Sequence, residues 1–441
     1  MKNPTPLHFL ALLSMALLSI FSVAEAKEPP VSRQEAYKPL VPATKSSDTL
    51  PPNPDGLTDR VVTGYQGWFR AEGDGSGLGF NHYKKGRRFE PGHCTIDLWP
   101  DLSEFDEDEK FPTAFRHADG STAHVFSSLH PKTVDRHFRW MADYGIDGAF
   151  VQRFATHGAK ARNDYRRLKF ENEKLLLCRD AAIRHGRCWV LMYDLSGISD
   201  DDFERLAFDW KQLRTRMRLG TDPNDSAYLH LNGKPLVAIW GIGFNDDRDY
   251  SLERSEKFIR LLKHNPEWGG MSIMMGIPYY WRERTGDATR DEKLHSVLQM
   301  ADVLSPWSVG RYRDTEKDGL KIAQHQREDR IWCERRKIEY LPVLFPGFSW
   351  KNLKGEQERG IPRHGGRFLW QQFQATALAD NRSAYIAMFD EIDEGTAIFK
   401  CTNDPPLGAS VFQTYEGLPS DHYLWLTGEG GRLLRGELPT R

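Results

Sequence analysis

The chain has 441 residues and a formal net charge of -2. This length accommodates one large barrel or two ordinary domains, and the absence of a basic footprint argues against a nucleic-acid partner. The sequence also contains 13 Trp, 15 Tyr and 24 Phe. Most of these aromatics are expected to pack in the core. For some of them the alternative is a cleft in which the flat apolar faces of sugar rings stack on aromatic rings.

The start of the chain has the pattern of a secretory signal peptide. Lys2 gives it a positive charge, residues 9–23 are apolar, and Ala24-Glu25-Ala26 is a small-x-small cleavage site. The apolar run is shorter than the roughly 20 residues that a membrane span needs. We therefore expect removal of residues 1–26, a periplasmic or secreted location, and no membrane span in the mature chain.

The mature chain is expected to hold one folded domain. Residues 27–58 are rich in Pro, Ser, Lys and Thr, which predicts a flexible lead-in without a fold of its own. Residues 59–441 then form the single folded domain, and we expect a monomer. Among the five cysteines, Cys178 and Cys188 flank a predicted helix-to-strand turn, where a disulfide and two buried free thiols are both plausible.

Short apolar runs alternate with helical stretches along this domain. The apolar runs predict strands at residues 61–69, 148–154, 188–195, 235–244, 271–281, 303–312, 339–345 and 384–389. The stretches between them predict helices at residues 131–144, 165–185, 202–219, 252–264, 291–300, 317–337 and 367–379. This order predicts an α/β fold, a single (β/α)8 TIM barrel with a long insertion after strand 1.

The alternative is a doubly wound open sheet, which usually has fewer strands and a glycine-rich first turn. The glycine-rich segment at 73–79 follows the first strand but does not satisfy G-x-G-x-x-G, so it is predicted to be a loop. It opens the insertion at 73–129, whose acidic stretch at 101–109 lacks the pattern of a calcium loop. A solvated acidic loop is the favoured interpretation of that stretch.

The eighth strand is followed by four carboxylates within five residues, Asp390, Glu391, Asp393 and Glu394. A buried strand does not normally end in clustered acids unless the acids have a function. Two glutamates three residues apart at the carboxyl end of a strand suit acid/base work on a glycosidic bond. Glu391 and Glu394 are therefore the predicted catalytic pair.

Nearly every predicted strand ends in an aromatic or charged residue. In a barrel these ends meet on one face, where the chemistry of such folds is located. With two positions from the insertion, the predicted substrate-binding residues are Tyr65, Trp68, His82, Asp97, Trp99, Arg153, Tyr193, Asp194, Trp240, Tyr280, Trp281, Arg311 and Trp350. For any single aromatic, core packing is at least as good an interpretation.

Other chemistries lose support because their motifs are absent. The sequence has no H-E-x-x-H, no G-x-x-x-x-G-K-[ST] and no G-x-S-x-G. We therefore predict no metal, no cofactor, and neither nucleotide nor serine-hydrolase chemistry.

Several segments resemble glycoside hydrolase family 99, the endo-α-mannosidases, and their family 71-like relatives. Residues 390–396, Asp-Glu-Ile-Asp-Glu-Gly-Thr, resemble the N-E-W-H-E-G-T signature of that family. Residues 130–137 are similar to its D-P-x-V-I-D-x-H helix, and residues 97–102 lie where it has D-I-G-x-x-F-Y-P-x-L. Residues 345–348, Phe-Pro-Gly-Phe, are similar to its G-P-G-Y segment.

This resemblance implies an exported barrel enzyme that cleaves within a glycan with retention of configuration. By position it makes Glu394 the general acid/base and Glu391 the partner carboxylate, which is thought to act as a base on the sugar 2-hydroxyl. The implied partner molecule is an oligosaccharide or polysaccharide. An acid with a raised pKa beside an ionised carboxylate fits this chemistry independently.

The sequence departs from the family at Asp390, Ile392 and Asp393, where the signature has Asn, Trp and His. These changes leave the mannose specificity open, with an α-glucanase or an arabinosidase- or xylosidase-like activity as alternatives. A catalytically inactive glycan-binding barrel and an exported structural barrel are alternatives of a different class. Arginines near the strand ends suggest contacts with a sulfated or uronic sugar, against the alternative of salt bridges to nearby acids: Arg153, Arg282, Arg311 and Arg313.

Overall fold

The computed structural model describes residues 29–44, 53–355 and 360–439. The predicted signal peptide at 1–26 lies outside these residues. The strands are β1 (Val61–Tyr65), β2 (Phe111–Arg116), β3 (Thr122–Val125), β4 (Gly148–Phe154), β5 (Cys188–Asp194), β6 (His230–Leu231), β7 (Lys234–Trp240), β8 (Ser272–Pro278), β9 (Val303–Trp307), β10 (Glu339–Tyr340), β11 (Val343–Leu344) and β12 (Ala384–Ile386).

In the described part of the chain, the seven predicted helices are present in the predicted order, together with four that were not predicted. They are α1 (Arg33–Tyr37), α2 (Pro131–Asp143), α3 (Ala155–Ala159), α4 (Arg166–His185), α5 (Phe203–Gln212), α6 (Leu252–His264), α7 (Leu294–Leu298), α8 (Thr315–Glu334), α9 (Lys351–Lys354), α10 (Arg367–Leu378) and α11 (His422–Leu434). A single π-helical turn, Leu213–Met217, continues α5.

Nine of the strands pair in parallel in the order β10-β9-β8-β7-β5-β4-β1-β12-β11, while β6 pairs antiparallel with β7. β10 and β11 are two pieces of the predicted seventh strand, separated by Leu341 and Pro342. The first piece pairs with β9 and the second with β12, and Leu341 N–H donates to Leu304 O at 2.9 Å. The ring of strands therefore closes through the seventh strand, which confirms the predicted α/β barrel.

Side chains alternate along each strand between two apolar clusters. One face packs against the helices, as Val151 does in a cluster shared with Val134 of α2. The other face fills the barrel interior, because Tyr385 Oη of β12 lies 3.7 Å from Met192 Sδ of β5, with β1 and β4 between these strands. Interior positions include Val62, Phe150, Val190, Ala238, Met274, Val303 and Val343.

Helix α11 follows the last strand and completes the ring of helices. It was not among the predicted elements. A Cβ on Gly430 would lie 2.4 Å from the Phe373 ring of α10, and one on Gly431 would lie 3.2 Å from Val61 of β1. The helix therefore uses its glycines to approach both neighbours closely.

The insertion at 73–129 packs as part of the domain. β2 and β3 form an antiparallel hairpin, and residues 73–79 form a loop as predicted. The acidic stretch at 101–109 forms ion pairs with basic side chains of α2. Lys132 pairs with Asp106 at 2.8 Å, and Arg136 pairs with the buried Glu109. No group of His, Cys, Asp and Glu within the described ranges has the arrangement of a metal site.

The prediction of an unfolded lead-in at 27–58 is wrong for the described part of that segment. Ser32 caps α1 in a capping box with Glu35, and four apolar residues between positions 36 and 43 are buried. The Tyr37 hydroxyl donates to Asp209 Oδ1 of α5 at 2.7 Å. Apolar side chains at Ala36, Tyr37, Leu40 and Ala43 supply the burial that the overall composition of the segment conceals.

All five cysteines are free and buried, so Cys178 and Cys188 do not form a disulfide. Burial raises the pKa of the Cys188 thiol to about 12, which keeps it protonated and unreactive. No helix among the described residues is long and apolar enough to cross a membrane.

Candidate active site

The four predicted acids follow β12 on a loop that crosses the carboxyl edge of the barrel. Phe389 N–H donates to Gly64 O at 2.7 Å, which holds the loop against the end of β1. The carbonyl of Ile392 accepts from Asp97 N–H at 2.8 Å, and the carbonyl of Glu394 accepts from Ser349 N–H at 2.8 Å. The loop is therefore fixed from β1, from the insertion and from the segment after β11.

Glu391 is buried, with 4% of its surface exposed, and both of its carboxyl oxygens accept hydrogen bonds. Gln66 Nε2 donates to Oε1 at 2.6 Å, and Thr396 Oγ1 donates to Oε2 at 2.5 Å. Burial and the neighbouring Glu394 and Asp393 raise the pKa of Glu391 well above its usual value, whereas the two donors act in the opposite direction. These donors favour the ionised form of this carboxyl group.

Glu394 is only half-buried and is the more accessible of the two glutamates. Burial and the Asp393 carboxylate raise the pKa of Glu394 to about 7, with a further contribution from Asp194. Trp350 and the Lys354 ammonium offset a part of this effect. A carboxylic acid with this pKa is about half protonated at pH 7, and its protonated form can donate a proton to a leaving group.

Asp390 does not face a ligand. It is fully buried, and its two oxygens accept from Gln66 N–H and Gly67 N–H, both at 2.8 Å. Asp390 ties the loop after β12 to the end of β1. It thereby fixes the backbone of Gln66, whose side chain donates to Glu391. Burial raises the pKa of Asp390 to about 6 against the effect of these two donors.

Asp393 connects the catalytic loop to the insertion. Its Oδ2 lies 3.1 Å from His82 Nδ1, and the His82 ring stacks on Trp68 at 4.0 Å with an interplanar angle of 7°. The other face of Trp68 stacks on Phe154 at 5.3 Å. Both faces of the Trp68 indole are thus covered by protein rings, so Trp68 supports His82 and offers no open platform for a sugar.

Aromatic side chains follow several of the other strands around the barrel mouth. Half-buried rings pack on the interior cluster there, and Trp240 lies edge-on to Trp307 at 5.5 Å. Trp350 lies beside Phe348 at 4.8 Å and carries the Lys354 ammonium 3.3 Å from its ring centre. The indole N–H group of Trp240 has no hydrogen-bond partner among the described residues, which suits a contact with a sugar hydroxyl. The aromatic rim comprises Trp240, Tyr280, Trp307, Phe348 and Trp350.

Three predicted substrate-binding residues point away from the mouth. Tyr65, Arg153 and Tyr193 occupy the helix-facing positions of β1, β4 and β5. Tyr65 Oη bonds His137 of α2 at 3.0 Å. Arg153 Nε and Tyr193 Oη both bond Asp209 Oδ2 of α5, at 2.8 and 2.7 Å. These predictions are wrong because the period-two alternation of a strand turns their side chains outward.

Three further predicted positions serve the structure. Asp97 accepts from Ser349 Oγ at 2.5 Å and from the N–H groups of Lys351 and Asn352 at 2.8 Å, so it holds the segment before α9. Trp99 is buried in an aromatic cluster of the insertion, and Trp281 packs on Trp332 of α8 at 4.6 Å. None of these three side chains lines the mouth.

Three of the four arginines near the strand ends form ion pairs with acids. Arg153 pairs with Asp209 at 2.6 Å, Arg282 with Asp329 at 2.9 Å, and Arg311 with Asp287 at 2.7 Å. Arg313 Nη2 donates to Gly360 O at 2.8 Å. The salt-bridge interpretation therefore holds for the three ion-paired arginines, and a barrel mouth rich in carboxylates disfavours an anionic sugar.

Several residues at the mouth were not among the predicted substrate-binding residues. Gln66 and Thr396 hold Glu391, and Gln152 lies inward on β4, where its Nε2 is 3.7 Å from Met192 Sδ. Trp307 and Phe348 belong to the aromatic rim. Alternation would have identified Gln66 and Gln152, since each neighbours an outward-facing residue that was chosen in its place.

The geometry defines a closed parallel barrel with buried paired carboxylates at the carboxyl edge of its strands. The structure is similar to that of the GH99 endo-α-mannosidase from Bacteroides thetaiotaomicron in complex with bis-tris propane, with a TM-score of 0.60 and 15% identity. The match covers 86% of this chain and 99% of that chain. A second structure of the GH99 endo-α-mannosidase from that organism matches with the same coverage and TM-score at 14% identity.

No protein-family profile and no curated protein sequence matches the chain. The likeness to the two solved structures nevertheless extends over most of both molecules and establishes a shared fold. The fold that the family 99 resemblance implied is thereby confirmed.

Proposed function

We propose that the protein is an exported glycoside hydrolase that cleaves α-linked glycans in the manner of an endo-α-mannosidase, with retention of configuration. The observation that carries this proposal is the arrangement of Glu391 and Glu394 at the barrel mouth. Glu391 is buried and held by two donors, and Glu394 is more accessible and has its pKa raised to about 7, so that a large fraction is protonated at neutral pH. The likeness in fold to a GH99 endo-α-mannosidase supports the choice of substrate.

The two carboxyl groups raise each other's proton affinity, so the pair retains one proton over a range of intermediate pH. Gln66 and Thr396 stabilise the charge on Glu391, which leaves the proton on Glu394. Glu394 then protonates the leaving oxygen of the glycosidic bond. The ionised Glu391 removes the proton of the sugar 2-hydroxyl, whose oxygen displaces the leaving group at C1 to form a 1,2-anhydro sugar. Glu394 then takes a proton from the water that opens this ring at C1, and Glu391 returns its proton to the 2-oxygen, so two inversions give retention. The aromatic rim receives the apolar faces of neighbouring sugar rings.

The test is a screen of the chain from residue 27 onward against α-mannans, α-glucans and other polysaccharides. We expect products from the wild type, and a loss of about 10²–10⁴ in kcat for Glu394→Gln. Glu204→Gln, at an exposed position on α5, is the control and should keep wild-type activity. If the wild type, Glu394→Gln and Glu391→Gln bind a glycan equally and none of them forms product, the protein is a glycan-binding barrel.

Leaving-group chemistry separates the roles of the two glutamates. An aryl α-glycoside with an acidic phenol needs little protonation of its leaving oxygen, so Glu394→Gln should retain much more activity on it than on a natural glycan. Glu391→Gln should be inactive on both substrates. Equal losses for the two variants on both substrates would contradict the assignment of acid and base.

A further inference from the structure

A buried lysine lies behind the wall of the barrel, between the ends of β1 and β4. Lys174 projects from α4, and its side chain has no exposed surface. Its ammonium group donates to Gln152 O at 2.8 Å, to Gln66 O at 3.2 Å and to Glu171 Oε2 at 2.7 Å. All three of its protons are therefore committed, two of them to the backbone of inward-facing glutamines.

The backbone of Gln66 is held by hydrogen bonds from two sides. Asp390 accepts from the N–H groups of Gln66 and Gly67 on the mouth side, and Lys174 donates to the carbonyl of Gln66 from behind. A Cβ on Gly67 would lie 2.6 Å from Lys174 Cδ, and Gly67 has a φ of +54°. The backbone at Gly67 therefore packs directly against the aliphatic part of the Lys174 side chain, and only glycine permits this close approach with a positive φ.

The side chain of Gln66 connects this fixed backbone to the carboxylate of Glu391. Its Nε2 donates to Glu391 Oε1 at 2.6 Å, so the direction of the Gln66 backbone sets the position of this donor. The lysine is itself anchored by Glu171, which also receives His157 Nδ1 at 3.1 Å. Since a buried ion pair adds little net stability over apolar packing, positioning is the better account of its presence.

We propose that Lys174 is a positioning residue for the reaction, which acts on Glu391 through Gln66. The inference rests on the proposed function for the role of Glu391 but on the structure alone for the linkage. Lys174 touches no substrate, so its loss should lower kcat and leave KM nearly unchanged.

A double-mutant cycle tests the linkage. We expect Lys174→Met to lower kcat by about 10- to 100-fold, with KM within about 2-fold of wild type, and Gln66→Ala to have an effect of similar size. Because both act on the same hydrogen bond, the Lys174→Met/Gln66→Ala double variant should lose little more than the more severe single variant. Multiplying losses in the double variant would overturn the proposal.

Arg179→Met is the matched control on the same helix. Arg179 is buried and donates to Asp180 Oδ1 at 2.8 Å and to Val41 O at 2.6 Å, on the side away from the barrel. This variant should lose stability but keep the kcat of the wild type. If Lys174→Met does not fold, Glu171→Gln loosens the same ammonium group, and its coupling to Gln66→Ala then decides the proposal.

A titration without turnover separates this inference from the proposed function. The carboxyl carbon-13 signal of Glu391, assigned by its loss in Glu391→Gln, should titrate at higher pH in Lys174→Met and in Gln66→Ala. The double variant should shift it no further. A wild type without activity on any glycan would defeat the proposed function alone, whereas a Glu391 titration that Lys174→Met does not move would defeat the positioning role.

Discussion

Glu391 and Glu394 differ in the hydrogen-bond donors and charges that surround their carboxyl groups. Glu391 has two donors on its oxygens, and Glu394 faces Asp393 and Asp194 with only Trp350 and Lys354 to offset them. Two like carboxyl groups with different surroundings separate into a base and an acid. The division of roles therefore follows from the hydrogen-bond partners of each side chain.

The pH dependence of activity should report the titration of Glu394. Burial and Asp393 raise its pKa to about 7, and the acid must be protonated to act. Activity is therefore present below this pKa and is lost as the pH rises through about 7. We expect a basic limb near pH 7 in kcat/KM on a natural glycan. The limb should be absent in Glu394→Gln, and its persistence there would assign it to another group.

Charges near Glu394 should move this limb in opposite directions. The Lys354 ammonium lowers the pKa of Glu394, and the Asp194 carboxylate raises it. Lys354→Met should therefore move the basic limb to higher pH, and Asp194→Asn to lower pH, each by about half a unit at low salt. The measurement is kcat/KM against pH for the three proteins. Shifts of the same sign in both variants would contradict this electrostatic account.

At the residue scale, the sequence identifies the acids but not their supports. Clustered carboxylates after an apolar run are visible in one dimension, so Glu391 and Glu394 could be chosen directly. Whether Gln152 or Arg153 faces the mouth depends on a one-residue difference in strand phase. The partners that hold Glu391 lie 325 residues away at Gln66 and 5 residues away at Thr396, and only the folded chain brings the distant one into contact.

At the scale of elements, the docking of α1 shows how much a short segment contributes. Tyr37 is one of three donors on Asp209, together with Arg153 and Tyr193. Tyr37→Phe should lower the free energy of unfolding by about 1–3 kcal/mol, because a buried carboxylate loses a donor. Urea unfolding followed by circular dichroism measures it, and kcat should stay close to wild type.

The control for this substitution is Tyr423→Phe. The Tyr423 hydroxyl is buried without a hydrogen-bond partner among the described residues. Its removal should leave the free energy of unfolding unchanged or raise it slightly. A Tyr37→Phe variant as stable as Tyr423→Phe would mean that α1 is not held by its bond to Asp209.

Two helical glycines should respond oppositely to alanine. In Gly430→Ala of α11 the new methyl group would meet the Phe373 ring, and we expect a loss of about 1–3 kcal/mol in the free energy of unfolding. In α8, a Cβ on Gly319 would meet nothing within 4 Å, so Gly319→Ala should gain about 0.5–1 kcal/mol. Chemical denaturation of both variants is the measurement, and a stabilising Gly430→Ala would disprove the close packing of α11.

The glycines of α11 explain why this helix could not be predicted from the sequence, whereas other helices could. Helices such as α2 and α6 show clear apolar periodicity, and their predicted bounds agree with the structure to within one residue. Helix α11 contains Gly428, Gly430 and Gly431, which read as a loop in the sequence. The packing against α10 and β1 that makes these residues helical is a tertiary effect.

For the molecule as a whole, the buried acids should destabilise the fold at high pH. The pKa of Asp390 is raised to about 6 and that of Glu394 to about 7, while the unfolded chain titrates these groups near 4. Between these values the folded protein binds more protons, so their contribution to stability is present below about pH 4 and is lost as the pH rises through 6–7.

Glu391 on the same loop is a third buried acid, with a pKa raised well above its usual value, so neutralising it should stabilise the protein at high pH. We expect Glu391→Gln to raise Tm by about 2–4 °C at pH 8 and to change it little at pH 4.5. Gln retains the oxygen that accepts from Gln66, so the variant should keep the loop in place. Scanning calorimetry at the two pH values is the measurement, and a Tm difference that does not grow with pH would contradict the linkage.

The pairing of β1 with β12 places the candidate site at the junction of the two ends of the barrel sequence. Thr63 Oγ1 donates to Ile386 O across 323 residues of chain, and Glu391 meets Gln66 across 325. During synthesis, the ribosome must complete nearly the whole chain before these strands can meet. Contacts of such long sequence separation form slowly. Catalytic competence should thus be the last property that a newly made or refolding molecule acquires, after most of its helices have already formed.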